Sequence, residues 1–319
     1  MGHQVAWFIP KGDEAEKFIE PEETRLMTIA AVLAYSPHAV LTSGNMIPHF
    51  FPGIKVQLFH GIDSGKTGEA DIRGFYDLYC TQSPAKTEPF VALKKKYNTF
   101  DYVETGWSKM DPLFFPHPDT QKFKKKEGLI LYAPTFSKSM TSTGILFEEI
   151  KRISRTHPWN WVVKFHPKAS PQDIDRYASL ENERFKVVET GDSTPLLQAA
   201  DVMLSDTSSI VTEFALLKKP VVTFRNLNPR AWMLQVSHPQ ELEANLTLGF
   251  SPASALMDKL RAYAMEIHPF QDGRSSLRVV DAVENMIASG TRHLAPKPMN
   301  LIRKFKMRKK LKYWSRLQK

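Results

Sequence analysis

Short apolar runs alternate with longer amphipathic segments along most of the chain. The first series predicts strands at residues 5–9, 39–42, 55–59, 78–81 and 102–104, with helices at 22–34 and 84–97. The second series predicts strands at residues 129–132, 161–165, 185–188, 202–204 and 221–224, with helical segments between them. Because alternation of strands and helices favours parallel pairing, we predict an α/β fold with two Rossmann-like domains that face a cleft.

A proline- and lysine-rich segment at residues 114–127 separates the two series and is the best candidate for a linker. It contains Pro116 and Pro118, neither of which can donate a backbone hydrogen bond. The predicted boundaries are therefore 1–118 for the first domain, 119–290 for the second, and 291–319 for a basic C-terminal tail.

The net charge of +9 is concentrated in this tail, because residues 299–319 contain nine Lys and Arg and no acidic residue. The same segment contains apolar side chains, namely Leu301, Ile302, Phe305, Leu311, Trp314 and Leu317. On a helix, the first three and the last three face different ways. A basic segment with such residues is typical of binding to an anionic membrane surface. A solvated tail and nucleic-acid binding are the alternatives, but no zinc-finger, KH or RRM pattern occurs, so we expect no nucleic-acid partner.

Several classes of protein are disfavoured by composition. Cys80 is the only cysteine, which excludes an internal disulfide and a cysteine-based zinc cluster. No apolar run has the length of a transmembrane helix, and no signal-peptide or myristoylation pattern is present. The expected location is the cytoplasm, peripherally at the membrane face. Asp173 and Asp175 flank Ile174 at a predicted helix start, where acidic residues interact favourably with the helix dipole, so we interpret the pair as structural and not as metal ligands. We expect no metal and no cofactor.

A hydroxyl-rich turn at residues 205–209 lies between the predicted strand 202–204 and a helix predicted at 210–217. In a parallel sheet this turn is at the carboxyl edge, where ligands of doubly wound folds bind. The free N–H groups of a helix N-terminus favour phosphate oxygens. The turn therefore predicts a site for a phosphate-bearing ligand. The alternative is that Ser208 or Ser209 caps the helix.

Two histidines follow predicted strands, one in each domain. His60 and Gly61 come after the strand at 55–59, and His166 and Pro167 come after the strand at 161–165. Both imidazoles should therefore stand at carboxyl edges and point into one cleft. Either histidine alone could instead bond to nearby backbone, because histidine takes many roles.

These segments together resemble the CDP-glycerol glycerophosphotransferases, which build teichoic-acid-like glycerol phosphate polymers and related capsule or wall linkages. The resemblance covers about residues 56–224. It is carried by five motifs in order, namely His60-Gly61 with Lys66, Gly106 with Asp111 and Leu113, Tyr132-Ala133-Pro134-Thr135, His166-Pro167, and Ser205 to Ser209 followed by Phe214, Ala215, Leu217 and Pro220.

The resemblance implies a GT-B architecture, with acceptor and catalytic base on the first domain and the nucleotide donor on the second. It implies that His60 is the general base and that His166, Thr207, Ser208 and Ser209 bind the donor phosphates. Further substrate contacts are expected at Gly61, Lys66, Asp111, Thr135, Ser205 and Glu213. The implied donor is CDP-glycerol or a related CDP-polyol, the acceptor is a glycan, polymer or lipid-linked hydroxyl, and CMP leaves.

The chain departs from the family pattern at Ile62, Gly65, Lys109, Ser137 and Glu213. These departures leave the transferred group open between glycerol phosphate, ribitol phosphate and another group. A GT-B glycosyltransferase that uses a nucleotide sugar is one alternative function. A UDP-sugar 2-epimerase is another, although Ser208 and Ser209 occupy positions where that class resembles Gly-Gly. A non-catalytic binding protein that acts through its basic tail is the third.

Overall fold

The computed structural model describes residues 2–59, 61 and 72–314. Its first half contains β1 (Ala6–Phe8), β2 (Thr24–Leu26), α1 (Ile29–Tyr35), β3 (Ala39–Thr42), β4 (Ile54–Gln57), β5 (Leu78–Thr81), α2 (Pro84–Tyr97) and β6 (Asp101–Glu104). Short 3₁₀ helices lie at Glu14–Phe18 and Ser108–Phe114. Strands β3, β4, β5 and β6 form the first sheet in that order, and every pairing is parallel.

The second half begins with α3 (Thr120–Phe123), β7 (Leu129–Tyr132), α4 (Thr143–Thr156), β8 (Asn160–Lys164), α5 (Pro171–Ala178), β9 (Phe185–Val188), α6 (Thr194–Ala199), β10 (Val202–Ser205), α7 (Ile210–Ala215), β11 (Val221–Phe224) and β12 (Leu234–Val236). A 3₁₀ helix at Pro239–Glu241 is followed by α8 (Leu242–Phe250), α9 (Ser254–Ile267), α10 (Ser275–Ser289) and α11 (Leu301–Leu311). The second sheet is also parallel, in the order β12-β11-β10-β7-β8-β9. The predicted α/β class with two parallel sheets is confirmed.

The order of the second sheet reverses between β7 and β10, because β8 and β9 extend to one side and β11 and β12 to the other. Helices cover both faces. Apolar residues of α6, α7 and α9 pack on one face, and those of α4, α5 and α8 pack on the other. A reversal of this kind opens a crevice at the carboxyl ends of the strands. The residues that follow β7, β8 and β10 therefore converge there.

The predicted helix at residues 22–34 is wrong over its first half, because α1 begins only at Ile29. Thr24–Leu26 form β2, which pairs with β1 in a separate two-stranded parallel sheet. The helix begins only after Thr28, whose Oγ1 accepts the N–H of Ala31 at 3.1 Å. The threonine N-cap, rather than the apolar periodicity, fixes the start of α1.

Helix α10, which the predicted boundaries assign to the second domain, packs on the first sheet. Val279 and Val283 of α10 share a buried cluster with Leu78 and Cys80 of β5. The other face of β5 presents Tyr79 to a cluster formed with α2 and α11. The first domain is therefore completed by the end of the chain, and the second domain is inserted within it.

The basic segment predicted as a tail is folded against the first domain as far as residue 314. Lys297 Nζ lies 2.7 Å from Asp77 Oδ1 and donates to the carbonyl oxygens of Tyr76 and Thr99. Met307 of α11 is 6% exposed in the cluster around Tyr79. Among the helices that the structure describes, none is both long and apolar enough to cross a membrane.

Candidate functional site

The hydroxyl-rich turn at the end of β10 is anchored by hydrogen bonds of its first two residues, Ser205 and Asp206. The Ser205 hydroxyl is fully buried and donates to the Ala133 carbonyl at 2.7 Å. The Asp206 carboxylate accepts the N–H groups of Thr135 at 2.8 Å and Ser142 at 2.9 Å, as well as the Ser142 hydroxyl at 2.9 Å. Burial raises the pKa of Asp206, although these hydrogen bonds act in the opposite direction. The hydroxyl of Ser205, which was predicted as a substrate contact, is therefore hydrogen-bonded within the second sheet and does not face the cleft.

The next three residues of the turn present hydroxyl groups. Thr207 Oγ1 accepts the Leu227 N–H at 3.0 Å, which fixes the turn to the loop after β11. Ser208 is half-buried and Ser209 is exposed, and neither hydroxyl has a hydrogen-bond partner among the described residues. Ser209 occupies the N-cap position of α7 without a side-chain cap bond. Capping therefore does not account for the serine pair, and both hydroxyls are available to a ligand.

His166 follows β8 at the same carboxyl edge of the second sheet. Its ring stacks on Phe136, with centroids 4.3 Å apart, and its Nδ1 accepts the Lys168 N–H at 3.1 Å. Burial lowers the pKa of His166, and the neighbouring Lys164 and Lys168 lower it further. A neutral imidazole whose Nδ1 is an acceptor carries its proton on Nε2. His166 can therefore donate a hydrogen bond to an anionic oxygen while remaining uncharged.

A cavity of about 100 Å³ opens beside His166, between the loops that follow β7 and β8. Its walls include two aromatic rings, several hydroxyls and two lysines; among them are Thr135, Phe136, Lys138, Phe165, Lys168 and Ser170. Thr135, predicted as a substrate contact, lines this cavity and donates its N–H to Asp206. The cavity joins an aromatic surface to hydrogen-bonding groups, as small-ligand sites commonly do.

A charged cluster from three elements lies near the same edge. Lys109 Nζ, from the 3₁₀ helix that follows β6, is 2.5 Å from Glu213 Oε1 on α7. Lys164 ends β8, and burial lowers its pKa, with Glu213 opposing that shift and Lys109 adding to it. Lys164 has no ion-pair partner within 4 Å among the residues described here. The cluster leaves one positive charge in excess close to His166.

Lys164 was not among the sequence-predicted site residues. The available signal was a single lysine at the last position of an otherwise apolar strand, immediately before Phe165 and His166. Glu213, which was predicted, faces Lys109 and is 8% exposed. The ion pair now accounts for two departures from the family pattern together, since Lys109 and Glu213 contact each other.

Asp111 has a structural partner in place of a ligand. Its carboxylate accepts the N–H of Ser275 at 2.9 Å and of Ser276 at 2.7 Å, at the first turn of α10. An acidic group at this position satisfies free N–H groups and favours the positive end of the helix dipole. Asp111 therefore connects the 3₁₀ helix at Ser108–Phe114 to α10, and its predicted contact with substrate has no support from this geometry.

The first domain contributes the end of β4. Phe59 adopts a left-handed φ of 60° and its ring packs against Tyr79 and Phe90. Such a conformation is costly for a bulky residue and is concentrated at functional sites. Gly61 is half-buried just beyond it. His60 and Lys66 lie outside the described residues, so their predicted roles stay predictions.

The two parallel sheets, with the hydroxyl-rich turn at the carboxyl edge of the second sheet, define a GT-B-type fold. The family model for CDP-Glycerol:Poly(glycerophosphate) glycerophosphotransferase matches residues 61–226, just over half of the 319-residue chain. The chain belongs to this family of transferases, and the resemblance inferred from its motifs is confirmed.

Individual relatives agree with this assignment. The teichoic acid glycerol-phosphate primase of Bacillus subtilis (strain 168) is 25% identical over 239 residues, a match that covers 61% of this chain and 60% of the primase. The chain thus spans less than two thirds of the length of that relative. Among solved structures, a variant of the wall teichoic acid polymerase TagF soaked with CDPG has a TM-score of 0.64 at 14% identity, covering 89% of this chain and 81% of that one.

UDP-sugar epimerases share the architecture with a lower TM-score. A crystal structure of a UDP-N-acetylglucosamine 2-epimerase has a TM-score of 0.55 at 16% identity and covers 88% of this chain and 84% of that one. At such identities the likeness establishes the fold alone. The family match is therefore what separates the transferase class from the epimerase class for this chain.

Proposed function

We propose that this protein transfers glycerol phosphate from CDP-glycerol to a hydroxyl of a glycan, polymer or lipid-linked acceptor. The observation that carries the proposal is the pair of unpartnered hydroxyls on Ser208 and Ser209, which lie at the same carboxyl edge of the second sheet as a neutral His166, inside the family-matched segment. These groups offer hydrogen bonds to a diphosphate without burying a fixed charge. The TagF structure soaked with CDPG is consistent with the same donor.

The reaction requires in-line attack of an acceptor oxygen on the β-phosphorus of the donor. The bond from that oxygen to phosphorus forms while the bond from phosphorus to the bridging oxygen breaks, and CMP leaves with the bridging oxygen. His60 takes the proton of the acceptor hydroxyl, a role for which a positioned imidazole typically contributes about 10²–10⁴-fold in rate. His60 comes just after Phe59, whose left-handed backbone turns the chain at the carboxyl edge of the first sheet.

Binding on the second domain stabilises the charge of the diphosphate. Phosphoryl transfer depends mostly on positioning and on electrostatic stabilisation of phosphate oxygens and leaving group. Ser208, Ser209 and His166 supply hydrogen bonds, and Lys164 supplies a positive charge. The cavity lined by Thr135 and Phe136 is adjacent to His166, and we assign it to the remainder of the cytidine nucleotide.

The donor is tested by thermal stabilisation with CDP-glycerol, CDP-ribitol, CMP, UDP-GlcNAc, UDP-glucose and UDP. A ligand at about 100 times its dissociation constant adds roughly 2.7 kcal/mol of stability. We expect the cytidine compounds to raise the melting temperature and the uridine compounds not to. Stabilisation by the uridine compounds alone would overturn the proposal in favour of glycosyl transfer or epimerisation.

Variants separate binding from chemistry. The S208A/S209A protein should lose most stabilisation by CMP, whereas Ser254→Ala, at an exposed serine that begins α9, should keep it. His60→Ala should retain donor stabilisation but release CMP at least a hundredfold more slowly in the presence of acceptor. CMP release by His60→Ala at the wild-type rate would exclude His60 as the base.

We also infer that the protein acts peripherally at a membrane. A lipid-linked or growing polymer acceptor would be encountered there, and the basic C-terminal segment is the part of the chain suited to such a surface.

A further inference from the structure

Helix α11 has two faces with different surroundings. Met307 and Leu311 pack inward on the first domain, and Arg308 lies over the rings of Phe50 and Tyr313. The opposite side is exposed, and Ile302 is 73% accessible. The inner face is therefore a packing surface, which leaves the exposed side without a partner in the described part of the chain.

The exposed side combines apolar and basic residues, and we call it the α11 outer patch. Its apolar members are Met299, Leu301, Ile302, Phe305 and Trp314, and its basic members are Arg303, Lys306, Lys309 and Lys310. The chain turns at Lys312, which has a left-handed φ of 51°, and this brings Trp314 to a ring-centroid distance of 5.3 Å from Phe305. Phe305 and Trp314 are thereby in contact, and Leu301 and Ile302 are exposed on the same helix together with the basic residues.

We propose that the α11 outer patch is a docking surface for an anionic lipid bilayer, with its apolar side chains inserted at the interface and its basic residues against the headgroups. The lack of any acidic residue in 299–319 makes the patch complementary to a negative surface. Transfer of the exposed Ile302 and Phe305 side chains from water into the bilayer interface is favourable, and neither a nucleic acid nor bulk solvent provides such an apolar environment. Interfacial helices combine these two features.

Because α11 is anchored to the first domain, the patch would fix how that domain meets the bilayer. Removal of residues 299–319 would also remove the buried Met307 and the contact of Tyr313 with Phe50. Surface substitutions are therefore the cleaner test. The triple variant K306Q/K309Q/K310Q removes charge, and the double variant I302S/F305S removes apolar side chains, while both leave the inner face unchanged.

The experiment is co-sedimentation of the full chain with vesicles of phosphatidylcholine alone or mixed with phosphatidylglycerol. We expect binding to the anionic vesicles that weakens in 0.5 M NaCl, because salt screens the headgroup attraction. The charge variant should bind about a hundredfold more weakly, and the apolar variant about tenfold more weakly. The matched control K124Q/K125Q/K126Q, at three exposed lysines of the second domain, should bind as the wild type does.

Equal binding by the control and the two patch variants would overturn the proposal, as would absence of binding to anionic vesicles. Binding of a DNA oligonucleotide that is lost in the charge variant, without any vesicle binding, would assign the patch to nucleic acid instead. Equal melting temperatures of all variants exclude misfolding as the cause. Stabilisation by CDP-glycerol in solution does not depend on this surface, so the two proposals can fail separately.

Discussion

Lys164 shows how one residue can change the chemistry of a site through its surroundings. Its ammonium group is partly buried at the end of β8, has no ion-pair partner within 4 Å among the described residues, and lies in the field of Lys109 and Glu213. Partial burial of an unpaired positive charge costs free energy, and a bound anion offsets that cost by its attraction to the charge. The diphosphate of the proposed donor is such an anion.

Lys164→Gln should therefore raise the KM for CDP-glycerol and the inhibition constant of CMP about 10- to 100-fold, since hydrogen bonds to charged groups contribute about 1.5–3 kcal/mol. Lys164→Arg should retain most of the affinity. Steady-state kinetics measure both constants, with Lys186→Gln on the exposed side of β9 as control. Unchanged constants in Lys164→Gln would remove this lysine from the donor site.

Asp206 supports the same site by stabilising the fold of the loops around it. Three donors from Thr135 and Ser142 converge on its buried carboxylate. Asp206→Ala leaves these donors unpaired and should lower the free energy of unfolding by on the order of 3 kcal/mol. Urea denaturation measures the loss through the transition midpoint. Ser205→Ala, which leaves only the Ala133 carbonyl without its donor, should cost less, and a reversed order would contradict this assignment.

At the scale of elements, the sequence predicted every strand of the two main sheets except β12, because each predicted strand is a short apolar run bounded by polar or turn residues. The runs at 78–81 and 129–132 coincide with β5 and β7. Strand β2 could not be predicted, because only one of its three residues, Leu26, is apolar and the segment is a strand only through pairing with β1. Strand β12 was missed for the same reason, since its three residues depend on pairing with β11.

The candidate site was predictable where a motif stands at a strand exit, as with His166 and the serine pair. It was not predictable where a tertiary partner decides the role. Asp111 is hydrogen-bonded to a helix that begins 164 residues later. The Ser205 hydroxyl is hydrogen-bonded to the carbonyl of Ala133, just after β7. Family motifs indicate that such residues are needed but do not distinguish a ligand contact from a support.

Helix α11 should be sensitive to mild acid. His49 lies beneath it, and burial together with Arg308, Lys304 and Lys55 lowers its pKa to about 4. The unfolded chain, with an ordinary histidine pKa of about 6.5, binds more protons across this window. Stability should therefore fall as the pH decreases from about 6.5 towards 4.

The melting temperature measured at several pH values tests this expectation. His49→Gln should flatten part of the decline, and the exposed His3→Gln should leave it unchanged. A residual slope is expected from His166 and His268, whose pKa values burial also lowers. An identical slope in His49→Gln would show that α11 is not held by a neutral imidazole.

At the scale of the whole molecule, the two segments that cross between the domains pack against each other. Gly106 and Gly273 both have positive φ, and a Cβ on Gly273 would lie 2.3 Å from the Phe115 ring. Asp111 adds two hydrogen bonds across this junction.

Asp111→Ala should lower the free energy of unfolding by about 1–2 kcal/mol, as loss of a helix cap does. It should leave the affinity for CMP unchanged. Denaturation and CMP titration measure the two quantities on one sample. A large loss of CMP affinity at unchanged stability would instead return Asp111 to the substrate contacts.

The return of α10 to the first sheet makes the second domain of the molecule an internal module. The chain enters and leaves this domain at the same junction, near Phe115 and Gly273. Recombination between family members would therefore have to exchange the stretch from about residue 116 to 272 as one cassette, with α10 and α11 kept with the parent that supplies the amino-terminal half. A crossover placed after α10 would separate Val279 and Val283 from the β5 surface on which they pack, so such chimeras would inherit mismatched cores rather than a new donor preference.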